Sequence, residues 1–420
     1  MDKGTTYEVK DMNLAEQGMK NLRLAEMQMG ALLKIRDKFA KEKPFDGVRI
    51  GLALHVTKET GILVRTLVAG GAQVAITGCN PLSTQDDVSA ALAKEGVHIW
   101  AYKGETKEDY YRYLTNVINF KPHITIDDGC DLVSEIHSKH PELIPELIAG
   151  CEETTTGIIR LHAMVKDNAL KYPIIAVNDN KTKHLLDNYY GTAQSTIDGI
   201  VRATNVLIAG TTFVVVGYGS CGKGVAKGAK GMGANVIVCE VDAFRALQAT
   251  YDGFKVMKME EAAKVGDIFL TVTGNKHVIR VEHMKAMKDG AMIANSGHFD
   301  CEIDVDGLKQ ASSAVEKIRP FMDQFTLEGK RIFVLGEGRL INLAAAEGHP
   351  SAVMSTSFCG QALACEYAVK NKGKMKPEVI QLPEKIDDEI SRLQLDALNV
   401  EFDEMTDEQK KYMSSWQEGT

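Results

Sequence analysis

The stretch Phe213-Val-Val-Val-Gly217-Tyr-Gly219-Ser-Cys-Gly222-Lys-Gly224 constrains this chain more than any other. A β-branched run ends in Gly-x-Gly-x-x-Gly and opens into a helix of small residues, Val225, Ala226 and Ala229. Glycines between a strand and a helix mark a dinucleotide site far better than glycines alone. Gly217 permits the tight turn, Gly219 lets the backbone approach a pyrophosphate, and Gly222 lets helix and strand pack closely. The helix N-terminus offers free N–H groups and a positive dipole end to the phosphates. A second strand, Asn235-Val-Ile-Val-Cys239, ends in Glu240, about 20 residues on, where a carboxylate accepts hydrogen bonds from a ribose. A phosphorylated ribose would need a cation there, and the next residues are Val241 and Asp242. The pattern predicts NAD rather than NADP. The competing reading is a ligand-free tight turn in a doubly wound sheet.

The 420 residues leave room for two or three domains. A net charge of −8 argues against nucleic acid or an anionic membrane as partner. No apolar run reaches membrane-spanning length, and the first twelve residues lack the apolar core of a signal peptide. The eight cysteines are scattered, without Cys-x-x-Cys, and there is no His-Glu-x-x-His. Reduced thiols, a cytoplasmic location and no metal are expected.

Hydrophobic periodicity sets the organisation. Asn13 and Glu16 predict a capping box ahead of a helix carrying Leu22, Ala25, Met29, Leu32 and Leu33. Strands at 48–54, 73–77, 97–101, 123–126 and 174–177 then alternate with helices, the last strand closing the set. A second series begins after a helix at 195–209, carries the glycine turn, and continues through strands at 268–271, 292–294 and 332–335. The expected fold is α/β, with two doubly wound parallel-sheet domains and a cleft beyond the carboxyl ends of their strands. Residues 1–188 with 350–385 form one domain, and 189–349 form the dinucleotide domain. Residues 386–420 form a charged helical segment, apolar at Ile386, Ile390, Leu393, Leu395 and Leu398, that docks on a neighbour within or between subunits.

Polar residues gather where the strands of the first domain stop: His55, Thr57 and Glu59; Asn80 to Asp86; Asp127 and Asp128; Glu152 to Thr156; and Asn178, Lys183, Asp187 and Asn188. Each alone has a plain structural reading. Thr154 serves as a helix cap, Lys183 and Asp187 as an i,i+4 pair, and His55 as a strand-end histidine. Their convergence on one sheet mouth is harder to dismiss. The second domain adds Asn295-Ser-Gly297-His298 and Gly336-Glu337-Gly-Arg339-Leu-Ile-Asn342-Leu343, and Gly348-His349-Pro350 returns the chain to the first domain. The remaining histidines, His184 among them, read as structural or solvated.

With these stretches in view the chain resembles the S-adenosyl-L-homocysteine hydrolases over nearly its whole length. The likeness rests on GCNPLSTQDD, IDDGCDL, CEETTTGIIRL, VNDNKTKHLLDN, VVVGYGSCGKGVA, NSGHFD, GEGRLINLAAAEGHPS and VMSTSF. The resemblance implies an NAD enzyme that hydrolyses a thioether without net oxidation. Transient oxidation at the ribose 3′ carbon acidifies C4′–H, homocysteine leaves by elimination, water adds, and the cofactor returns to its starting state. It makes Lys183, held neutral by its neighbours, the base at the 3′-hydroxyl, positioned by Asn178. Asp187, Glu153 and Thr154 would hold the ribose, and His55, Asp128 and His298 would serve C4′ and C5′. Thr57, Glu59 and the segment from His349 would frame the base, with Leu54, Leu343, Met354 and Phe358 as apolar walls. Thr155, Thr156, Asn188, Asn275 and Asn342 would join Gly217, Gly219, Gly222 and Glu240 at NAD. The resemblance also implies a homo-oligomer, family-typically a tetramer.

Two departures stand out. A cysteine common in the family is Thr192 here, and the chain stops at Thr420 where many members carry a longer tail reaching a neighbour's cofactor. Members that act on the inosyl analogue are similar but carry glutamate and lysine at the positions of Thr57 and Glu59. Lys58, beside Glu59, reads as solvated. Three alternatives remain at this point: an S-inosyl-L-homocysteine hydrolase, a simple NAD-linked dehydrogenase, and a silent nucleotide-binding homologue.

Overall fold

The computed structural model describes residues 6–417, arranged as two α/β halves, each built on its own sheet. The first sheet takes β1 (Tyr7–Glu8), β2 (Arg49–Ala53), β3 (Gln73–Thr77), β4 (His98–Trp100), β5 (Ile124–Asp127), β6 (Ala149–Glu152) and β7 (Ile174–Ala176). The second takes β8 (Thr212–Val216), β9 (Asn235–Cys239), β10 (Lys255–Val256), β11 (Ile268–Thr271), β12 (Ala291–Asn295), β13 (Ala314–Arg319), β14 (Met322–Leu327) and β15 (Lys330–Leu335). The chain then returns to the first sheet with β16 (Val379–Ile380).

The strand orders are β1-β4-β3-β2-β5-β6-β7-β16 and β10-β9-β8-β11-β12-β15-β14-β13. Apart from the two-residue β1, which lies at an edge, each half starts near the middle of its sheet, runs to one side, and restarts on the other. The reversals fall between β2 and β5 and between β8 and β11, and a doubly wound sheet opens its crevice at such a point. Ile50, Leu52, Ile124 and Ile126 in one sheet, and Phe213, Val214, Val215 and Leu270 in the other, are fully buried. Helices cover both faces of each sheet, which is why these strands read as continuous apolar runs.

The edges differ from the sequence reading. The strand at Ile174 does not close the first sheet: β16 pairs with it in parallel, and β1 extends the opposite edge beside β4. Both additions are two residues long, too short for any periodicity. The second sheet is not wholly parallel, because β13, β14 and β15 form an antiparallel meander. Every residue of β13 is exposed, so it carries no buried apolar alternation. The capping box at Asn13 and Glu16 is absent. Asp11 instead accepts from Asn13 N at 2.9 Å and caps a short 3₁₀ turn, Met12–Leu14, while the helix Ala15–Glu26 has no side-chain cap. An aspartate bonding two residues ahead competes with a helix start in this way.

The chain crosses between the halves through a π-helical segment, Lys183–Gly191, that runs into the helix Thr192–Thr204. Such i→i+5 turns are rare and often accompany functional sites. It crosses back just before the helix Ser351–Lys370, which is buried around most of its circumference. The helix Glu384–Ala397 buries Ile386 and Ile390 against the helices Gly30–Glu42 and Ser351–Lys370, so this part of the C-terminal segment docks within the chain. The helix Asp407–Met413 buries nothing, and Phe402, Met405 and Trp416 are exposed. Residues 1–5 of the N-terminal stretch and 418–420 of the C-terminal segment lie outside the described residues. Among the described residues no helix is long and apolar enough to cross a membrane.

Candidate active site

The carboxyl edges of the two sheets face one another across a cavity of about 1070 Å³. One wall is a buried ionic cluster. Lys183 opens the π-helical segment, and its Nζ lies 3.1 Å from Asp187 Oδ2 and 3.6 Å from Glu153 Oε1. Burial lowers this amine's hold on its proton, but Asp187 and Glu153 outweigh it and hold the ammonium well above its ordinary range. The expectation of a neutral Lys183 is corrected: two carboxylates beside one amine favour the charge. Asp187 is depressed below the carboxylate range, because Lys183 and His349 overcome its burial. Glu153 is pushed up to about 7, chiefly by burial, and accepts from Gln361 Nε2 at 2.5 Å.

Asn178 does not touch Lys183 directly. Lys183 Nζ donates to Asn188 Oδ1 at 2.7 Å, and Asn188 Nδ2 donates to Asn178 Oδ1 at 3.2 Å. Asn188, expected at the cofactor, is therefore the group that holds the lysine. His349, expected beside the base, lines the cavity, bonds Asp187 through Nδ1 and has Nε2 3.3 Å from Thr192 Oγ1. His349 and Asp187 lie 162 residues apart, and the two crossings between the halves together bring them into contact. His184, read as structural, lines the cavity and bonds Ser220 Oγ at 2.8 Å, tying the π-helical segment to the glycine turn.

The second cluster is assembled from both halves. His55 follows β2, Asp128 follows β5, and His298 follows β12. His55 Nε2 is 3.5 Å from Asp128 Oδ2, and His298 Nδ1 is 3.4 Å from Asp128 Oδ1. Their nearest ligand atoms all lie within 4.8 Å of one another, close enough to share one substrate atom or one divalent ion. Burial pushes His55 down to about 4, so near neutral pH it is a neutral imidazole. Gly129 makes the approach possible: its φ is +106°, and a Cβ there would sit 2.2 Å from His298 Nε2. Glu152 belongs to the strand-end cluster seen in the sequence, but nothing there separates its role from that of Glu153. Its Oε1 accepts from Gly129 N at 2.9 Å and Thr154 N at 3.0 Å, so it fixes the loops carrying Asp128 and Glu153.

At the far end Leu54, Thr57, Leu343, Met354 and Phe358 line the cavity, and Thr154 lines it beside Glu153. Glu59 does not line it. Its buried carboxylate accepts from Ser351 Oγ at 2.5 Å and lies 3.4 Å from Lys58 Nζ. Lys58 is not solvated as expected; its amine meets Glu347, from the return crossing, at 2.8 Å. The carboxylates on both sides draw its flexible stem inward.

The glycine turn closes the opposite end. Gly217 has φ +108°, a Cβ on Gly222 would lie 2.1 Å from Gly217 O, and a Cβ on Gly219 would meet only Arg245 Nη1, at 3.8 Å. Two glycines therefore serve the backbone and one keeps the cavity open, as a bound pyrophosphate requires. Glu240 is locked in place: Oε2 accepts from Tyr218 N at 2.7 Å, and Oε1 from Val241 N at 2.7 Å and Asp242 N at 3.0 Å. Thr155, Thr156 and Asn275 line the same space. Asn342 turns Nδ2 to Ser195 and leaves a buried Oδ1 with no partner among the described residues, an acceptor suited to an amide N–H. Arg245, which the sequence reading passed over, supplies a cation beside the turn where phosphate charge would sit. These residues fit NAD.

Residues 188–348 match the family model described as "S-adenosyl-L-homocysteine hydrolase, NAD binding domain", and residues 6–146 match "S-adenosyl-L-homocysteine hydrolase". Curated relatives match almost end to end. An adenosylhomocysteinase of Aquifex aeolicus is 56% identical over 99% of this chain and 100% of its own. An S-inosyl-L-homocysteine hydrolase of Methanocaldococcus jannaschii is 55% identical, and an adenosylhomocysteinase of Sulfolobus acidocaldarius 54% identical, over the same shares. The chain belongs to the S-adenosyl-L-homocysteine hydrolase family. Its cofactor is NAD, and the NAD-binding match spans the whole second sheet, including the turn at Gly217.

Proposed function

We propose that this chain catalyses the reversible hydrolysis of S-adenosyl-L-homocysteine to adenosine and L-homocysteine. One observation carries the reading: the NAD cradle and a buried acid–base set share a single cavity. A simple dehydrogenase needs one proton acceptor beside its cofactor. This cavity holds Lys183, with Asp187 and Glu153, and also His55, Asp128 and His298. The second group suits a second chemistry, and a silent homologue needs neither.

The C5′–S bond sits on an unactivated primary carbon that water does not attack readily. Bound NAD supplies reversible oxidation at the ribose 3′ carbon, which makes C4′–H acidic and elimination feasible. Lys183 takes the 3′-hydroxyl proton. Its resting amine is protonated, so ribose hydroxyls that engage Asp187 and Glu153 must first loosen their hold on the ammonium. Asn188 keeps the amine aimed. His55, neutral beside Asp128 and His298, handles protons at C4′, the departing sulfur and the incoming water. Gly217, Gly219, Gly222, Glu240, Arg245, Thr155, Thr156, Asn275 and Asn342 hold the cofactor.

The relatives include both adenosyl and inosyl hydrolases, so the base is the finer question. We assign adenine. Among the described residues no cation lines the base end beside Thr57, Met354 and Phe358, and Lys58 is occupied by Glu347 and Glu59. A hypoxanthine carbonyl would find no ammonium donor there. In this reading residues 1–188 and 350–385 bind substrate, 189–349 bind NAD, and 386–420 dock and contribute to assembly. Eight free cysteines support a cytoplasmic setting, and the exposed Phe402, Met405 and Trp416 support a homo-oligomer, taken as a tetramer. The test is homocysteine release from the adenosyl substrate by NAD-loaded protein, with NADH absorbance followed. Release without net NADH supports the hydrolase; stoichiometric NADH, or no release, contradicts it.

A further inference from the structure

His55 stands at the centre of the reacting groups, and what its two nitrogens carry decides what it can do. Its Nε2 faces Asp128 Oδ2 at 3.5 Å, beyond the 2.7–3.2 Å of an ordinary N–H···O bond. Its Nδ1 points away from the cavity and meets Ser83 Oγ at 2.8 Å. Ser83 is buried, and its hydroxyl lies 3.0 Å from the carbonyl of Asn80. A serine hydroxyl has one proton to give, and a carbonyl can only accept. Both short contacts become full hydrogen bonds in one arrangement: Nδ1–H donates to Ser83 Oγ, and Ser83 O–H donates to Asn80 O. The opposite arrangement spends the hydroxyl on Nδ1 and leaves Nε2–H with a partner out of range.

We propose that Ser83, anchored on the Asn80 carbonyl, is a positioning residue that fixes His55 as the Nδ1–H tautomer, so that the Nε2 lone pair faces the cavity as a proton acceptor. The loop is built to hold this geometry. Leu82 N donates to Asn80 Oδ1 at 3.0 Å, Gln85 N to Val56 O at 2.8 Å, and Lys58 N to Gln85 Oε1 at 3.0 Å. On the other side Thr60 Oγ1 donates to the His55 carbonyl at 2.6 Å. The charged and titratable groups around the ring are Asp128, His298, His349 and Lys183. Asp128 alone among them favours a charged imidazole, and burial overrides it. A neutral ring with a free Nε2 can take a proton from water or from the homocysteine thiol, which the hydrolytic and the synthetic directions each require.

This inference rests on the proposed function for its catalytic consequence, but the tautomer is measurable on the resting protein. Nitrogen NMR of ¹⁵N-histidine-labelled, NAD-loaded wild type, with the His55 signals assigned by their loss in His55→Asn, should show a pyridine-like Nε2 and a protonated Nδ1. A pyridine-like Nδ1 overturns the proposal whatever the protein catalyses. Ser83→Ala should lower kcat about ten- to a hundredfold, the scale of lost outer-shell support, with KM little changed, and should mix the two tautomers. Ser83→Thr, which keeps the hydroxyl, should restore the wild-type spectrum and most of kcat. An alanine variant that binds NAD normally and keeps both the wild-type tautomer and kcat would reduce Ser83 to loop packing and refute the assignment. Absence of homocysteine release by the wild type would sink the proposed function and leave the tautomer result standing.

Discussion

Asp187→Asn removes one charge from the buried cluster at Lys183 with almost no change of volume. Lys183 Nζ and Asp187 Oδ2 are 3.1 Å apart, and at an effective dielectric constant near 20 such a pair attracts by roughly 5 kcal/mol. Glu153, at 3.6 Å, remains and recovers part of that, while the buried ammonium keeps its desolvation cost. Removing one partner of a buried pair typically costs about 3–5 kcal/mol, and the variant should lose about that much at pH 7. The pH dependence has a definite sign. Asp187 is depressed in the folded state, so its contribution is present above the unfolded aspartate value of about 3.9 and fades as pH falls toward its folded value. Lys183 is raised, so its contribution is present below about 10.4 and fades only as pH rises through its folded value. Urea unfolding of NAD-loaded protein between pH 3 and 9 should therefore give a lowered curve for Asp187→Asn that approaches wild type at the acid end. A loss under about 1 kcal/mol at pH 7, or a constant offset down to pH 3, would refute the ion-pair account.

Three further outcomes follow from single contacts. Glu240→Ala should weaken NAD binding about ten- to a hundredfold by calorimetric titration, since a carboxylate hydrogen-bonded at the ribose position is worth roughly 1.5–3 kcal/mol; unchanged affinity would exclude Glu240 from the site. Glu105 is buried, no side chain among the described residues pairs its carboxylate, and burial, only partly offset by the Tyr102 backbone, pushes it up to about 8. The folded state then binds more protons than the unfolded state between the ordinary carboxylate value and 8, so its ionisation lowers stability as pH rises, by up to about 5 kcal/mol. Glu105→Gln should be less pH-sensitive than wild type in thermal unfolding at pH 6 and 9, and equal slopes would contradict this. The adenosyl substrate should exceed the inosyl analogue about ten- to a few hundredfold in kcat/KM. Glu59→Lys with Thr57→Glu should narrow that ratio, and equal use by the wild type would sink the adenine assignment.

What was legible in the sequence was local. The β-branched runs of β8 and β9 and the glycine turn between β8 and its helix declare themselves because backbone geometry restricts which residues can stand there. The strand-end clusters at His55, Asp128 and Lys183 were visible for the same reason, since each follows a readable strand, whereas β6, which leads to Glu153, was not among the strands read from the sequence. Pairings across the crossing segments were not. His349 meets Asp187, and Lys58 meets Glu347, because a π-helical segment and a return helix fold distant residues together. Nothing in residues 183–191 distinguishes an i→i+5 turn from an α-helix. The direct support of Lys183 by Asn188 rather than Asn178 depends on that same turn. β13 carries no buried face, and β16 is two residues long, so neither has a pattern to read. The charge of Lys183 was misjudged because residue types alone do not say how many carboxylates reach one amine.

The central claim is that the oxidising cofactor and the acid–base groups act on one ribose in one cavity. Adenosine incubated with NAD-loaded protein in heavy water tests it most directly, by deuterium at C4′ in the recovered nucleoside. The account predicts exchange at C4′ by the wild type without net NADH, slowed by about 10²–10⁴ in Lys183→Ala. Adenosine recovered without deuterium at C4′ from a protein that still hydrolyses the thioether, or exchange undiminished in Lys183→Ala, would contradict it.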